Sequence, residues 1–232
     1  VANRARTEAD LRRAEIELAR VGSQQHVLAI PADLSIARDI RRVVRDTFNR
    51  FGQIGILVTH MGYGPPGHPS EFNDETIMEA LEESFLSSIR FTREVVPYMK
   101  QQRWGRIVHL LPAPGRRSTD RGALSTTSQL ALIGYSKSLA NELAPFNITV
   151  NNLISGPVDT SFLRSSLESQ SQESGKAFDD LMRDTITDIP MGRLGKPEEV
   201  GDLVAFLASD RASFMTGTSI VLDGGMKQQT TS

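Results

Sequence analysis

The chain has 232 residues, with 26 Lys and Arg against 28 Asp and Glu for a formal charge of −2, a length that suits one large α/β domain. It contains no cysteine, which excludes disulfide frameworks, cysteine-held metals and thiol catalysis, and its four histidines (His26, His60, His68 and His109) show no metal-ligand spacing. The balanced charge argues against a nucleic-acid surface, and no apolar run approaches the roughly 18 residues of a membrane span, so the expectation is a cytoplasmic protein without metal, nucleic acid or membrane.

Residues 7–21 read as an amphipathic helix, with Leu11, Ala14, Ile16, Leu18 and Val21 set among Arg and Glu. Residues 36–51 read as a second, with Ile40, Val43, Val44 and Phe48 at helical spacing. Short runs rich in Val, Ile and Leu alternate with these helices: His26–Ile30, Ile54–Val58, Arg106–Leu111, Ile148–Leu153 and Ser219–Leu222. They are too short for core helices and have the composition of strands buried on both faces. Further helical stretches fall near 74–101, 125–145 and 197–208. Alternation at this spacing predicts βαβ units with right-handed crossovers, hence a doubly wound parallel sheet in a three-layer α-β-α arrangement. The Ser-rich stretch 160–190 reads as a mobile lid or a pair of loose helices, and 227–232 as a frayed end.

Several motifs resemble the short-chain dehydrogenase/reductase family. The stretch Leu132–Ala140, with Asn141–Pro145 and Ile148–Asn151 after it, resembles the family's long helix and next strand. Gly156–Thr160 resembles the nicotinamide loop, while Pro190–Val200 and Thr216–Gly225 resemble the final helix and last strand. Upstream, Ala32–Ser35 resembles the segment that cups adenine, and Gly52–Val58 the strand before the Asn-Asn-Ala-Gly motif, replaced here by Thr59-His60-Met61-Gly62. The resemblance covers essentially the whole chain and implies a single Rossmann-like domain. It further implies that Val1–Arg4 ends the family's second strand. The expectation is then that one βα unit of about 30 residues, with its Gly-rich pyrophosphate loop, is missing ahead of it or its place is filled otherwise. Because that strand lies in mid-sheet, its loss would leave two neighbours with unpaired backbone groups.

In the family a Tyr phenolate is the acid/base, a Lys four residues on lowers its pKa, a Ser polarises the carbonyl, and an Asn holds a relay water. Aligned through Leu132–Ala140, these positions hold Ser125, Gln129, Pro112 and Ser84. A Ser hydroxyl is a far weaker acid than a phenol, Gln carries no charge, and Pro offers neither hydroxyl nor N–H. The usual acid/base contribution, roughly 10²–10⁴-fold, has no visible donor. Tyr135 and Lys137 stand at i, i+2 and do not share a helical face, so Tyr135 reads as packing. His109, on the strand leading to Pro112, is the best spare acid/base, set against the more ordinary role of a structural histidine; Tyr63 lies in the loop Met61–Gly67 near the pocket mouth. The resemblance implies cofactor contacts at Arg4, Asp33, Leu34, Gly62, Gly156, Val158 and Thr160, against which Asp33 could be only the N-cap of helix 36–51. Arg4 would suit the 2′-phosphate of NADP, and whether any dinucleotide binds stays open. Arg116, Arg117 and Arg121 stand where substrate would enter and could clamp an anionic group.

The leading expectation is a subunit with this fold and a degenerate redox site, partnered in a homo- or hetero-oligomer by family-type subunits. Val200, Leu203, Val204, Phe206, Leu207 and Phe214 resemble its assembly surface. The alternative is an active NADP-dependent oxidoreductase with a non-standard acid/base, tested by quenching of Trp104.

Overall fold

The computed structural model describes residues 2–3, 8–62, 64–113 and 122–226. The readings placed on Arg4, Tyr63, Arg116, Arg117 and Arg121 therefore lie outside the described residues. In chain order the elements are β1 (Ala2–Asn3), α1 (Glu8–Val21), β2 (Leu28–Ala29), α2 (Ala37–Phe51) and β3 (Ile56–His60). They continue with α3 (Asp74–Leu81), α4 (Ser87–Gln102), β4 (Gly105–Pro112), α5 (Ala123–Leu143) and β5 (Ile148–Ser155). The last are α6 (Ser161–Ser174), α7 (Phe178–Thr187), α8 (Pro197–Leu207) and β6 (Ser219–Leu222).

All described strand pairings are parallel and fall into two ladders, β1–β2 and β3–β4–β5–β6. A parallel sheet must be covered on both faces, and the residues of β4 and β5 are accordingly buried almost without exception. On one face, Ile107, Ile148 and Val150 pack with Ile40, Val43 and Val44 of α2, Phe91, Val95 and Met99 of α4, and Leu139 and Leu143 of α5. On the other, Val108 and Leu153 pack against Leu207 of α8 and Ala212. Each large apolar chain so buried contributes about 1.5–3 kcal/mol relative to exposure. The three-layer expectation holds.

Several boundaries differ from the sequence reading. β3 starts two residues later than Ile54, because Ile54 turns into the core and the ladder opens only where Ile56 meets Arg106. The stretch His26–Ile30 yields only Leu28–Ala29, its start taken by a 3-10 turn over Gln24–His26. The long helix near 74–101 is two helices joined by a π-helical turn, Glu82–Leu86. Around that turn Ser84, Ser87, Ser88 and Thr92 each bond a carbonyl one turn back, competing with the helical ladder. Residues 160–190 are two defined helices: Thr160 caps α6 by accepting from Leu163 N at 3.2 Å, and Gly175 closes it at φ 71°. Leu207 is not a surface residue, being fully buried under β4 and β5, whereas Phe214 is wholly exposed.

Candidate active site

Strand ends of a doubly wound sheet converge with helix starts, and two of the four positions expected to carry proton chemistry, Pro112 and Gln129, touch there. Pro112 ends β4, and Gln129, in the second turn of α5, donates through Nε2 to the Pro112 carbonyl at 3.0 Å. The Gln129 amide is thereby committed to a main-chain bond. Ser84 sits in the π turn, is almost fully buried, and donates to the Ala80 carbonyl. Ser125 lies in the first turn of α5, and its Oγ accepts from Gly64 N at 2.8 Å.

That last bond belongs to a wider closure. The loop after β3 runs directly over the start of α5: a Cβ on Gly64 would stand 3.1 Å from Leu124 Cβ and 3.4 Å from Ser125 N. Gly67 makes a parallel bridge to Gly122, and a Cβ there would run into the Phe72 ring at 2.7 Å. Glycine at 64 and 67 is what lets the loop lie so close. The loop backbone therefore lies against Ser125, which stays half-buried.

His109 does not face the site. It lies in mid-β4, with none of its surface exposed, between the buried Ile107 and Leu111. Its Nδ1 shares a 2.7 Å hydrogen bond with Thr59 Oγ1, and Nε2 has no partner among the described residues. Burial pushes its pKa down from 6.5 to about 4. Thr59, His109, Asn152 and Ser219 are in register across four strands. Asn152 accepts from Ser136 Oγ at 2.9 Å and donates to Ser219 Oγ at 3.1 Å. The sequence reading missed this polar row, which depends on strand register. His109 is thus fully buried and bonded to Thr59, with no exposed surface in this structure. Tyr135 packs edge-on against Phe85 with burial raising its pKa, while Lys137 is exposed, so the two diverge as helical geometry requires.

On the cofactor side, Asp33 is not the N-cap of α2, a place held by Ile36. Asp33 Oδ1 instead accepts from Ser35 N at 2.9 Å and Ser35 Oγ at 2.8 Å, and Asp33 N donates to Asp39 at 3.0 Å. Arg90 of α4 ties this segment down by bonding the Ser35 carbonyl at 3.3 Å and pairing with Glu82. Leu34 is half-buried against the core, and Gly62 is exposed with open space about it. The loop after β5 is better defined: Gly156 N donates to Leu222 O at 2.9 Å, and a Cβ on Gly156 would meet Asp223 Cα at 2.8 Å. Val158 bridges Gly195, and Thr160 caps α6. Behind it Arg193 pairs with Glu199 at 2.6 Å, and that hydrogen bond holds the Glu199 carboxyl at about 2. The described residues thus define a loop after β5 held against the end of β6. Trp104 stands just before the N-terminal end of β4, stacked 4.6 Å from the Arg106 guanidinium and away from the loop after β5. Among the described residues no acidic or His cluster could hold a metal, and no helix is long and apolar enough to cross a membrane.

Comparison with known proteins agrees with this architecture. Residues 2–227 match the family described as Enoyl-(Acyl carrier protein) reductase. The chain is 32% identical over 187 residues to 3-oxoacyl-(acyl-carrier-protein) reductase FabG of Escherichia coli, covering 81% of this chain and 72% of that one. It is 30% identical over 190 residues to an uncharacterized oxidoreductase of Thermotoga maritima, covering 82% and 74%. Among solved structures it is similar to YwfH, an NADPH-dependent reductase involved in bacilysin biosynthesis, with a TM-score of 0.88 at 25% identity over 98% of this chain and 88% of that one. It is similar also to an actinorhodin polyketide ketoreductase with NADPH, at 0.89 and 27% over 97% and 87%. This chain belongs to the short-chain dehydrogenase/reductase family of oxidoreductases.

Proposed function

We propose that this chain is a subunit of an oxidoreductase oligomer that keeps the family's fold and has given up its proton-transfer machinery. One observation carries the reading: Ser125, a weakly acidic alkyl hydroxyl where the phenol of an active relative would stand, is tied through its oxygen to the N–H of the loop at Gly64. The other three positions support it, since Gln129 and Ser84 are bonded to main chain and Pro112 has no proton to give. A bound nicotinamide would supply hydride; Gly156, Val158 and Thr160 would hold its carboxamide end, as the resemblance implies. NADP over NAD rests on Arg4 and on the NADPH of similar reductases. The carbonyl carbon would receive the hydride, and the alkoxide oxygen left behind has no visible proton donor within this chain's described residues. Phe214, wholly exposed beside the last strand, offers the apolar surface that association would cover.

The reading is tested by expressing the chain with an affinity tag in its native host and assaying what it brings down. It predicts a stoichiometric family homologue and no turnover by the chain alone. A homo-oligomer reducing a 3-oxoacyl thioester with NADPH would overturn it in favour of an active enzyme with a non-standard acid/base.

A further inference from the structure

Charge is unevenly spread over the surface of this chain. The exposed face of α2 carries Arg38, Arg41 and Arg45 at i, i+3 and i+7, with Ile36 at its start 38% exposed. Arg42 pairs with Asp39 and Arg45 with Asp46, while Arg38 and Arg41 make no ion pair among the described residues. The helix has five Arg and no Lys, and a guanidinium fork matches a carboxylate in a way an ammonium does not. Residues 71–83 are the opposite, with Glu71, Asp74, Glu75, Glu79, Glu82 and Glu83 and no Lys or Arg. Asp74, Glu75 and Glu79 are exposed on α3 around Met78, which is 59% exposed. Like charges one turn apart destabilise a helix, so each face carries a repulsion that an opposite face would relieve.

The two faces are neighbours. Ser35 lies just before α2 and Glu82 just after α3, and Nη1 of Arg90 donates to the Ser35 carbonyl at 3.3 Å while pairing with Glu82. One guanidinium thus joins the start of α2 to the end of α3 and sets a cationic patch beside an anionic one. Such a surface is complementary to itself when turned about a two-fold axis. Each copy's α2 then meets the other's α3, both contacts form at once, and the pair is closed. A lipid surface is a poor match, since beyond Ile36 the exposed residues of α2 are Arg38, Arg41, Arg45, Asn49 and Arg50, with nothing apolar to insert. A nucleic acid is disfavoured by the carboxylates alongside, which repel phosphate.

We propose that the α2 and α3 faces form a two-fold contact between copies of this chain. Arg38, Arg41 and Arg45 of one copy stand against Glu79, Glu75 and Asp74 of the second, with Ile36 and Met78 packed among them. Exposed charge pairs govern encounter and salt dependence more than affinity, so the contact is weak and salt-sensitive. It is separate from the apolar surface at Phe214 and holds whether or not the chain turns over substrate.

The test exploits the absence of cysteine. Full chains carrying Arg41→Cys and Glu75→Cys are mixed at about 100 μM in low salt, treated with a short bismaleimide and mapped by mass spectrometry. The expected result is a 41–75 link between copies that falls more than about ten-fold at about 0.5 M NaCl, where charges are screened within a few ångströms. Adding Arg38→Glu and Arg45→Glu to the first chain should cut the link more than about five-fold, as should Asp74→Lys and Glu79→Lys in the second. Mixing the two reversed chains should restore it, because opposite charges face each other again. These positions are exposed, so the fold should be spared. Should a reversed chain fail to fold, the salt dependence of the unreversed pair still decides. Absence of the link in low salt, a link indifferent to salt, or no restoration between folded reversed chains would overturn the proposal.

Discussion

Acidification should destabilise this protein through His109. The sign follows from burial: the neutral ring is favoured in the fold, so its pKa is about 4 there against 6.5 for an ordinary histidine. Above about 6.5 neither state binds this proton and the contribution is complete. As the pH falls through 6.5 the unfolded chain takes up a proton that the folded chain refuses, and stability declines until the folded ring titrates near 4. At about 1.4 kcal/mol per tenfold, the interval corresponds to roughly 3 kcal/mol, a large share of a domain's usual 5–15. The measurement is urea unfolding by circular dichroism at steps from pH 7.5 to about 4, on the unaltered chain and on His109→Leu. The variant leaves the Thr59 hydroxyl without its bond and starts lower by about 1–3 kcal/mol at neutral pH. Carboxylates and the other histidines are common to both, so the difference between the two isolates His109. It should shrink or reverse by about 3 kcal/mol across the range. Parallel curves would refute the reasoning.

Three further outcomes follow from packing. Gly156→Ala forces a Cβ onto Asp223 backbone at 2.8 Å, and overpacking of this kind costs about 1–3 kcal/mol, read as a drop in thermal midpoint. Arg106, almost wholly buried, donates to the carbonyls of Gly105 at 2.8 Å and Asn147 at 3.1 Å and to Asp210 at 3.1 Å, while Asp210 is mostly exposed. Arg106→Ala should therefore cost about 2–4 kcal/mol and red-shift Trp104 fluorescence, whereas Asp210→Asn should cost less than about 1 kcal/mol in the same unfolding assay. Leu132→Ala, at a position with no exposed surface, should cost about 2–5 kcal/mol by the same measure.

What could be read from the sequence was whatever local spacing encodes. The i, i+3, i+4 pattern of Ile40, Val43, Val44 and Phe48 placed α2 within a residue, and the apolar runs located β4, β5 and β6. Of the four site positions expected from the motif order, Ser125, Ser84 and Gln129 each bond a main-chain group. Other features depend on partners far along the chain. Arg106 looked like an ordinary strand opener, and its burial requires Asp210 and Asn147. The polar row through His109 needs three strand registers at once. The π turn did leave a local signal in Ser84, Ser87, Ser88 and Thr92, whose hydroxyls bond backward along the helix. The bond from Gly64 N to Ser125 left none, since 61 residues separate the partners.

The central claim, proposed above, is that the described residues hold no group placed to move the proton that accompanies hydride transfer. It is tested most directly by the single-chain turnover number, following NADPH oxidation with a 3-oxoacyl thioester at saturating concentrations. Enzymes commonly reach about 10 s⁻¹, and loss of acid/base help removes about 10²–10⁴ of that. The account predicts less than about 0.1 s⁻¹ with no bell-shaped pH dependence. A rate near 10 s⁻¹ with a bell-shaped profile would contradict it.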